Sequence, residues 1–408
     1  MNIFLINHYA GSPEMGMEYR PYYFAKEWMK MGHNVTILVA NNSHIRQYNP
    51  TLDNDIVEEN IDGIKYIWVK TPKYEANGIG RIKNMFAFVK KTMYKASYFA
   101  KQYNPDVVIA SSTYPSDNYI AKKITKLSGA KYIYEVHDLW PLSPIELGGM
   151  NKNHPFIIAM QHGENFAYRK ADAVVSMLPE TKEHMKSHGL DLNKWHYIPN
   201  GVVIDEWENK KELNINTENI IKEIKSKYSK IVAYTGTLGL ANALDSFILS
   251  AKDLSNIAYV IVGKGPEKEN LENIIKKKSL INVFIIDAIN KQEIPALLNM
   301  FDFLYIGLQY QPLFRFGISP NKLIDYMMAA KPIIQAIDAG NNVVKEVGCG
   351  IDIEPENPKE ITKAIRKLIE LSTNELEEMG KKGHEFVLKN HDYKVLANKF
   401  IDVIEKIN

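Results

Sequence analysis

The pattern that most limits what this chain can become is an alternation. Short runs of β-branched and apolar residues are each followed by a stretch with helical spacing. Ile3–Ile6, Val35–Val39, Ile64–Val69, Asp106–Ala110, Tyr132–Val136 and Ala173–Met177 form one series. Helical spacing over Pro21–Met31, which stops at Gly32, and over Pro155–Lys170 illustrates what separates them. A second series begins near Lys230, with Ile231–Tyr234, Ala258–Val262, Val283–Ile286, Phe303–Ile306 and Pro332–Gln335. Continuous apolar runs between helices predict strands buried on both faces, hence parallel sheets covered by helices. His196–Asp205, with Pro199 and Asn200-Gly201, reads as the linker. The expected fold is α/β: two doubly wound parallel-sheet domains, residues 1–200 and 201–390, with a cleft between them. In the tail, 391–408, the stripe Val395, Leu396, Phe400, Val403, Ile404 and Ile407 needs an apolar partner. The tail is expected to return to the first domain and join it.

Composition removes several classes. The single cysteine, Cys349, excludes a disulfide framework or a cysteine-based zinc module and reads as buried and inert. A net charge of +2, from 50 basic and 48 acidic residues, is not that of a general nucleic-acid binder. No apolar stretch reaches the roughly 18 residues of a spanning helix. Met1–Asn7 reads as a strand rather than a signal peptide, so a cytoplasmic protein is expected. There is no G-x-G-x-x-G, no nucleophile elbow and no P-loop.

The sharpest constellation is Gly317-Ile-Ser-Pro-Asn-Lys-Leu-Ile-Asp-Tyr326, which opens a helix after a strand and a loop. Ser319 is expected as N-cap and Pro320 as first helical residue. Lys322 in the first turn opposes the helix dipole, and an anionic ligand would account for it. Asp325, one turn after Asn321, is placed to accept hydrogen bonds from hydroxyls such as those of a ribose. Two glycine loops, Tyr234-Thr-Gly-Thr-Leu-Gly239 and Val262-Gly-Lys-Gly-Pro266, also follow strands. Their residues Gly236, Thr237, Gly263, Lys264 and Gly265 are candidates for close approach to a phosphate or base.

In the first domain, the loop from Asn7 to Arg20 contains Gly11, Gly16, Glu18 and Arg20 and is expected to face the cleft. Tyr134-Glu-Val-His-Asp-Leu-Trp-Pro141 puts His137 and Asp138 at a strand end, with Trp140 as a possible platform for a sugar ring. Asp53 and Asp55 sit among turn formers and are not read as metal ligands. His184 and His188, flanked by Lys182 and Lys186, read as a solvated helix face. Arg81–Lys101 is basic and aromatic without an acid. It has two readings, a helix lying on an anionic membrane surface or a packed helix with outward lysines.

Together these segments resemble the family 4 glycosyltransferases of the GT-B fold, two Rossmann-like domains. The likeness rests on the first glycine loop, His137, Asn200-Gly201-Val202, Gly263-Lys-Gly-Pro266, and Pro320 onward with Ala329-Ala-Lys-Pro-Ile333. Glu14–Pro21, His137–Pro141 and Gly317–Lys322 look like the branch that includes fucosamine-type transferases of bacterial surface-polysaccharide assembly. The resemblance implies a retaining enzyme that moves an amino or deoxy hexose from a UDP-sugar to a polyprenyl-linked glycan acceptor at the inner membrane face. It implies neither metal nor cofactor, and no nucleic-acid partner. The second domain would hold the nucleotide through Ser319, Asn321, Lys322, Asp325 and the glycine loops. The first would hold acceptor and sugar near catalytic His137, with Asp138, Trp140 and Asn200. The family's E-x7-E pair would run from Gly317 to Asp325, so its first acid is missing here. A GT-B-fold nucleotide-sugar epimerase and a non-catalytic sugar-nucleotide-binding protein remain as alternatives.

Overall fold

A computed structural model of the chain describes residues 1–16, 18–75 and 78–407. Met17, in the first glycine loop, and Asn408, the end of the expected tail, lie outside the described residues. Two units are present, Met1–Asn200 with Tyr393–Asn408, and Gly201–Asp392.

The first unit is built on eight strands: β1 Asn2–Ile6, β2 Asn34–Ala40, β3 Ile56–Ile61, β4 Ile64–Val69, β5 Val107–Ala110, β6 Lys131–Val136, β7 Ala173–Ser176 and β8 Trp195–Tyr197. Their order is β3-β4-β2-β1-β5-β6-β7-β8. All neighbours are parallel except β3 and β4, which form an antiparallel hairpin. The second unit has β9 Lys230–Thr235, β10 Ile257–Val262, β11 Val283–Ile286, β12 Phe303–Gly307, β13 Ile333–Ala336 and β14 Gly350–Ile353. These are ordered β11-β10-β9-β12-β13-β14 and are wholly parallel.

Burial explains the unbroken apolar runs. Along β9, Ile231 and Ala233 enter one core with Val260, Leu304 and Met327, while Val232 and Tyr234 enter another with Tyr259, Tyr305 and Ile365. Both faces are covered, so no polar alternation is needed. Three strands are absent from the sequence reading. β3 is a half-exposed edge rich in acid, β8 is three residues long, and β14 begins at a glycine.

The helix Tyr393–Lys406 belongs to the first unit and packs on the helix Arg20–Lys30. Phe400 meets Trp28 and Phe24 edge-on, with centroids at 5.2 and 5.5 Å. Leu396, Phe400, Val403 and Ile404 of the expected stripe are buried there.

In each sheet the strand order reverses beside the first strand, between β1 and β5 and between β9 and β12. Ligands of open α/β sheets bind at the carboxyl ends of strands at such a reversal. Asn7 and Ser111 follow the strands at the first reversal, and Gly236 and Leu308 follow those at the second.

Candidate active site

At the first reversal, Asn7 beyond β1 donates from its side chain to the Ser111 carbonyl beyond β5 at 2.7 Å. Ser111 donates its hydroxyl to Glu135 Oε2 at 2.6 Å. With that proton committed, Ser111 Oγ is the acceptor for His137 Nε2 at 2.9 Å, and Nε2 is also 3.3 Å from Glu135 Oε2. The other ring nitrogen, Nδ1, lies 3.6 Å from Glu18 Oε1. Both nitrogens therefore face carboxylates. Burial opposes the imidazolium, but the hydrogen bond and charge of Glu135, aided by Glu18, raise the His137 pKa above its ordinary value. The shift favours the protonated ring, so the site suits His137 as a donor of N–H groups more than as a base.

Glu135 accounts for this arrangement. It is 2% exposed and projects from a strand buried on both faces. Burial alone would raise its pKa, but the Arg20 guanidinium, His137 and Ser111 together push it down to about 2. Arg20 Nε and Nη2 donate to Glu135 Oε1 at 3.0 and 2.9 Å. The rest of the guanidinium donates to the carbonyls of Ile198 and Pro199.

In the second unit, the helix Asn321–Met328 buries Leu323, Ile324, Met327 and Met328, leaving Asn321 and Asp325 on its other face. The Tyr326 hydroxyl accepts from the Thr235 amide at 2.8 Å and fastens the helix to the end of β9. This seats Lys322 against the loop after β9. Its Nζ lies 3.8 Å above the Tyr234 ring and donates to Asn242 Oδ1 at 3.4 Å. Gly236, with φ 139°, makes the room: a Cβ there would stand 2.8 Å from Lys322 Cε. No carboxylate lies within ion-pair range of Lys322 among the described residues. Burial pushes its pKa down to about 7. Asp325 is partly buried, its carboxylate has no hydrogen-bond donor among the described residues, and burial pushes its pKa up to about 7. A desolvated cation without a counter-ion and a carboxylate without a donor, on one short helix, suit a ligand with an anionic group and hydroxyls.

The sequence profile of glycosyltransferase family 4 matches residues 15–206, and that of glycosyl transferases group 1 matches residues 216–386. The chain belongs to the family 4 glycosyltransferases. A probable glycosyltransferase of Pseudomonas aeruginosa, WbjE, is 22% identical over 312 residues, 74% of each chain. WcaI of Escherichia coli K12, a putative colanic acid biosynthesis glycosyl transferase, is 21% identical over 254 residues, 60% of this chain and 62% of that one. Among solved structures, sucrose-phosphate synthase of Thermosynechococcus elongatus superposes with TM-score 0.74 at 13% identity, covering 100% and 99% of the two chains. Anabaena HepE, solved with UDP and glucose, gives 0.68 at 13% identity over 100% of both. These neighbours show the fold, GT-B.

Several candidate residues of this glycosyltransferase take other places than the sequence suggests. Arg20 is 3% exposed and braces Glu135 and the chain after β8, so it cannot face a ligand. Gly11 and Gly16 are buried and shape their loop: Tyr66 donates to the Gly11 carbonyl at 2.8 Å, and Gly16, at φ 79°, lies against Gln47. Gly263 and Gly265 approach protein backbone, not an open groove. A Cβ at either would strike Gly236 O at 1.8 Å or Leu238 O at 2.3 Å. The two glycine loops lock together, Leu238 N donating to Lys264 O. Lys264 and Thr237 stay exposed. Pro320, not Ser319, is the residue before the helix, because its ψ of 128° is extended and Asn321 is the first helical residue.

Trp140 packs edge-on to Phe156 with the Arg81 guanidinium 5.4 Å over its ring, so it is not an unobstructed platform. Asp138 is exposed beside His137, and Asn200, partly buried, ends the first stretch of its unit. Asp55 is paired with Lys91 at 2.7 Å. Cys349 is buried, its pKa pushed up to about 12 by desolvation. His184 is not solvated, as described below. The sequence reading omitted Ser111 and Glu135. Glu135 carried a signal, an acid inside a run otherwise suited to a fully buried strand.

Proposed function

We propose that this transferase moves a sugar, an amino or deoxy hexose, from a UDP-linked donor to a polyprenyl-linked saccharide, with retention at the anomeric carbon, in surface-polysaccharide assembly. The observation that carries the proposal is Lys322, a desolvated ammonium seated on the Gly236 loop with no carboxylate in ion-pair range among the described residues. It is built to gain from an arriving diphosphate and to stabilise the charge that grows on it as the glycosidic bond breaks. The first-turn N–H groups of Asn321 and Lys322 add the positive end of the helix. Asp325 would accept from ribose hydroxyls. In the first unit, the His137 imidazolium and Glu18 would hold the acceptor or sugar, with Glu135 fixing the ring. HepE solved with UDP-glucose, and E. coli trehalose-6-phosphate synthase bound to a UDP-sugar analogue, support the donor class. WcaI, a putative colanic acid biosynthesis glycosyl transferase, supports the pathway class.

The test is a screen of UDP-sugars against a short polyprenyl-type saccharide acceptor, read by mass spectrometry with and without EDTA. Transfer should be seen, and it should persist in EDTA, because the leaving diphosphate is met by Lys322 and backbone dipoles. Sugar interconversion without acceptor would instead favour the epimerase reading. UDP binding without any turnover would favour the binding protein.

Within that assay, His137→Ala should lower turnover at least tenfold, about 1.4 kcal/mol or more in the barrier. UDP affinity should hold, since Lys322 and Asp325 lie in the other unit. Full turnover, or lost UDP binding, would remove His137 from the role.

The acceptor's lipid would bring the enzyme to a membrane face. No helix of the described residues is long and apolar enough to cross one. The helix Ile79–Tyr103 is a different kind of surface. It buries Met85, Phe88, Ala96 and Phe99, yet exposes Ile79, Phe86, Tyr94 and Tyr98 along with Lys83, Lys90 and Lys101. Exposed aromatics and lysines on one helix fit an anionic lipid surface. Lys91 is excluded from that count by its bond to Asp55. Combining Lys83→Ala, Lys90→Ala and Phe86→Ser should weaken binding to anionic vesicles by tenfold or more, at about 1 kcal/mol per lysine. Unchanged vesicle binding would leave the stripe as plain surface.

A further inference from the structure

Outside the residues assigned to sugar transfer, the first unit brings together Glu164 and the two histidines that sequence spacing alone leaves on a solvated face. Glu164 projects from the helix Pro155–Lys170, and its side chain is only 1% exposed. No lysine or arginine lies within ion-pair range of it among the described residues. Its carboxylate is instead held in a fixed pose: the Tyr168 hydroxyl donates to Oε1 at 2.9 Å and the Gln161 amide to Oε2 at 2.7 Å. His184 Nε2 stands 3.2 Å from Oε1, and the His184 and His188 rings lie 4.3 Å apart. His188 directs Nδ1 at the His184 carbonyl, 2.8 Å away. One ligand atom from each of the three residues lies within 4.8 Å of the others.

We propose that Glu164, His184 and His188 form a binding site for a divalent transition-metal ion of the zinc class. The chemistry favours it on three counts. A buried carboxylate held by a phenol and an amide, with no lysine or arginine beside it among the described residues, gains from a cation. Nδ1–H given to a carbonyl fixes the His188 tautomer and leaves the Nε2 lone pair for an ion, while Gln161 and Tyr168 orient the carboxylate as outer partners do in metal sites. The 3.2 Å between His184 Nε2 and Glu164 Oε1 is close to the separation of about 3.4 Å between two ligands each roughly 2.1 Å from a tetrahedral ion. Two imidazoles and one carboxylate select zinc, cobalt or nickel over the oxygen-seeking magnesium and calcium. The ion would tie the helix Pro155–Lys170 to the helix Lys182–Ser187, on either side of β7 in the chain. Its role is structural, separate from transfer.

Untagged protein, stripped with EDTA and desalted, is titrated with zinc sulfate alone by calorimetry, and its thermal unfolding is followed in parallel. One saturable site per chain and a rise in the unfolding temperature are expected with zinc, and neither with magnesium. His188→Ala, at a helix end, should weaken zinc binding at least tenfold. Glu164→Gln, which keeps the side-chain volume, should do the same. Cobalt in place of zinc should give the intense visible bands of a four-coordinate site in the wild type alone. Absence of a stoichiometric site, or equal zinc affinity in both variants, would overturn the proposal and leave the trio as an imidazolium–carboxylate pair.

Discussion

Glu135→Gln will lower the stability of the first unit by about 3–5 kcal/mol at neutral pH, the range for removing one partner of a buried ion pair. The loss comes from what is left behind. Arg20 and Glu135 are each about 2% exposed, and glutamine would leave the guanidinium desolvated with only carbonyls and an amide around it. His137 would lose its strongest charge partner at the same time, so turnover should fall along with stability. The pH dependence has a definite sign. The folded-state pKa of Glu135, about 2, lies below that of the unfolded chain, so the pair's contribution is complete above about 4.5 and is lost as pH falls towards 2. Denaturant unfolding checks this through the midpoint of the first-unit transition. The double variant Arg20→Met with Glu135→Leu should recover much of the loss, because no uncompensated charge remains. A midpoint for Glu135→Gln within 1 kcal/mol of wild type would mean that Arg20 finds water or another partner.

Lys322→Met will weaken UDP binding by about 1.5–3 kcal/mol, roughly tenfold to a hundred and fifty fold, the worth of a hydrogen bond to a charged group. Methionine keeps the apolar stem over Tyr234 and removes the ammonium alone, so the helix should stay in place. A second signature follows from desolvation. The Lys322 pKa is held at about 7 in the free protein, while a bound diphosphate would restore it upwards. Protonated lysine is the binding form. Affinity for UDP should therefore fall as pH rises above 7, by up to about tenfold per unit, until the pKa of the bound state is reached. Lys322→Met should show no such slope. Calorimetry at pH 7, 8 and 9 measures both effects. A pH-independent affinity in the wild type, or equal affinity in the variant, would take the diphosphate away from Lys322.

Lys322 and Arg20 differ in how far their surroundings are written into the local chain. Lys322 was legible because its surroundings are local: a strand, a loop, Pro320 and a first-turn cation that the dipole disfavours. Its actual seat is not local. Tyr326 bonded to Thr235, and Gly236 without a Cβ, put the ammonium on a loop some 80 residues earlier in the chain. Arg20 departs from the sequence expectation for the opposite reason. A cation closing a glycine-rich loop looks exposed, and only the approach of β6 and the segment after β8 turns it inward. Gly263 and Gly265, expected to meet a phosphate or base, are close-approach positions of another kind. Sequence does not say what approaches, and here it is the backbone of the neighbouring loop.

What the sequence by itself determined is the alternation of strand and helix and the parallel pairing of every strand except the β3–β4 hairpin. Both follow from short-range periodicity and from the free energy of burying apolar runs on both faces. What only the tertiary structure decided is which polar groups share a desolvated space: Arg20 with Glu135, Ser111 with His137, Lys322 with Tyr234, and Glu164 with two histidines. Those partners are set by strand order and helix docking across many residues, and the energy of a buried charge depends on the partner it meets rather than on its neighbours in the chain.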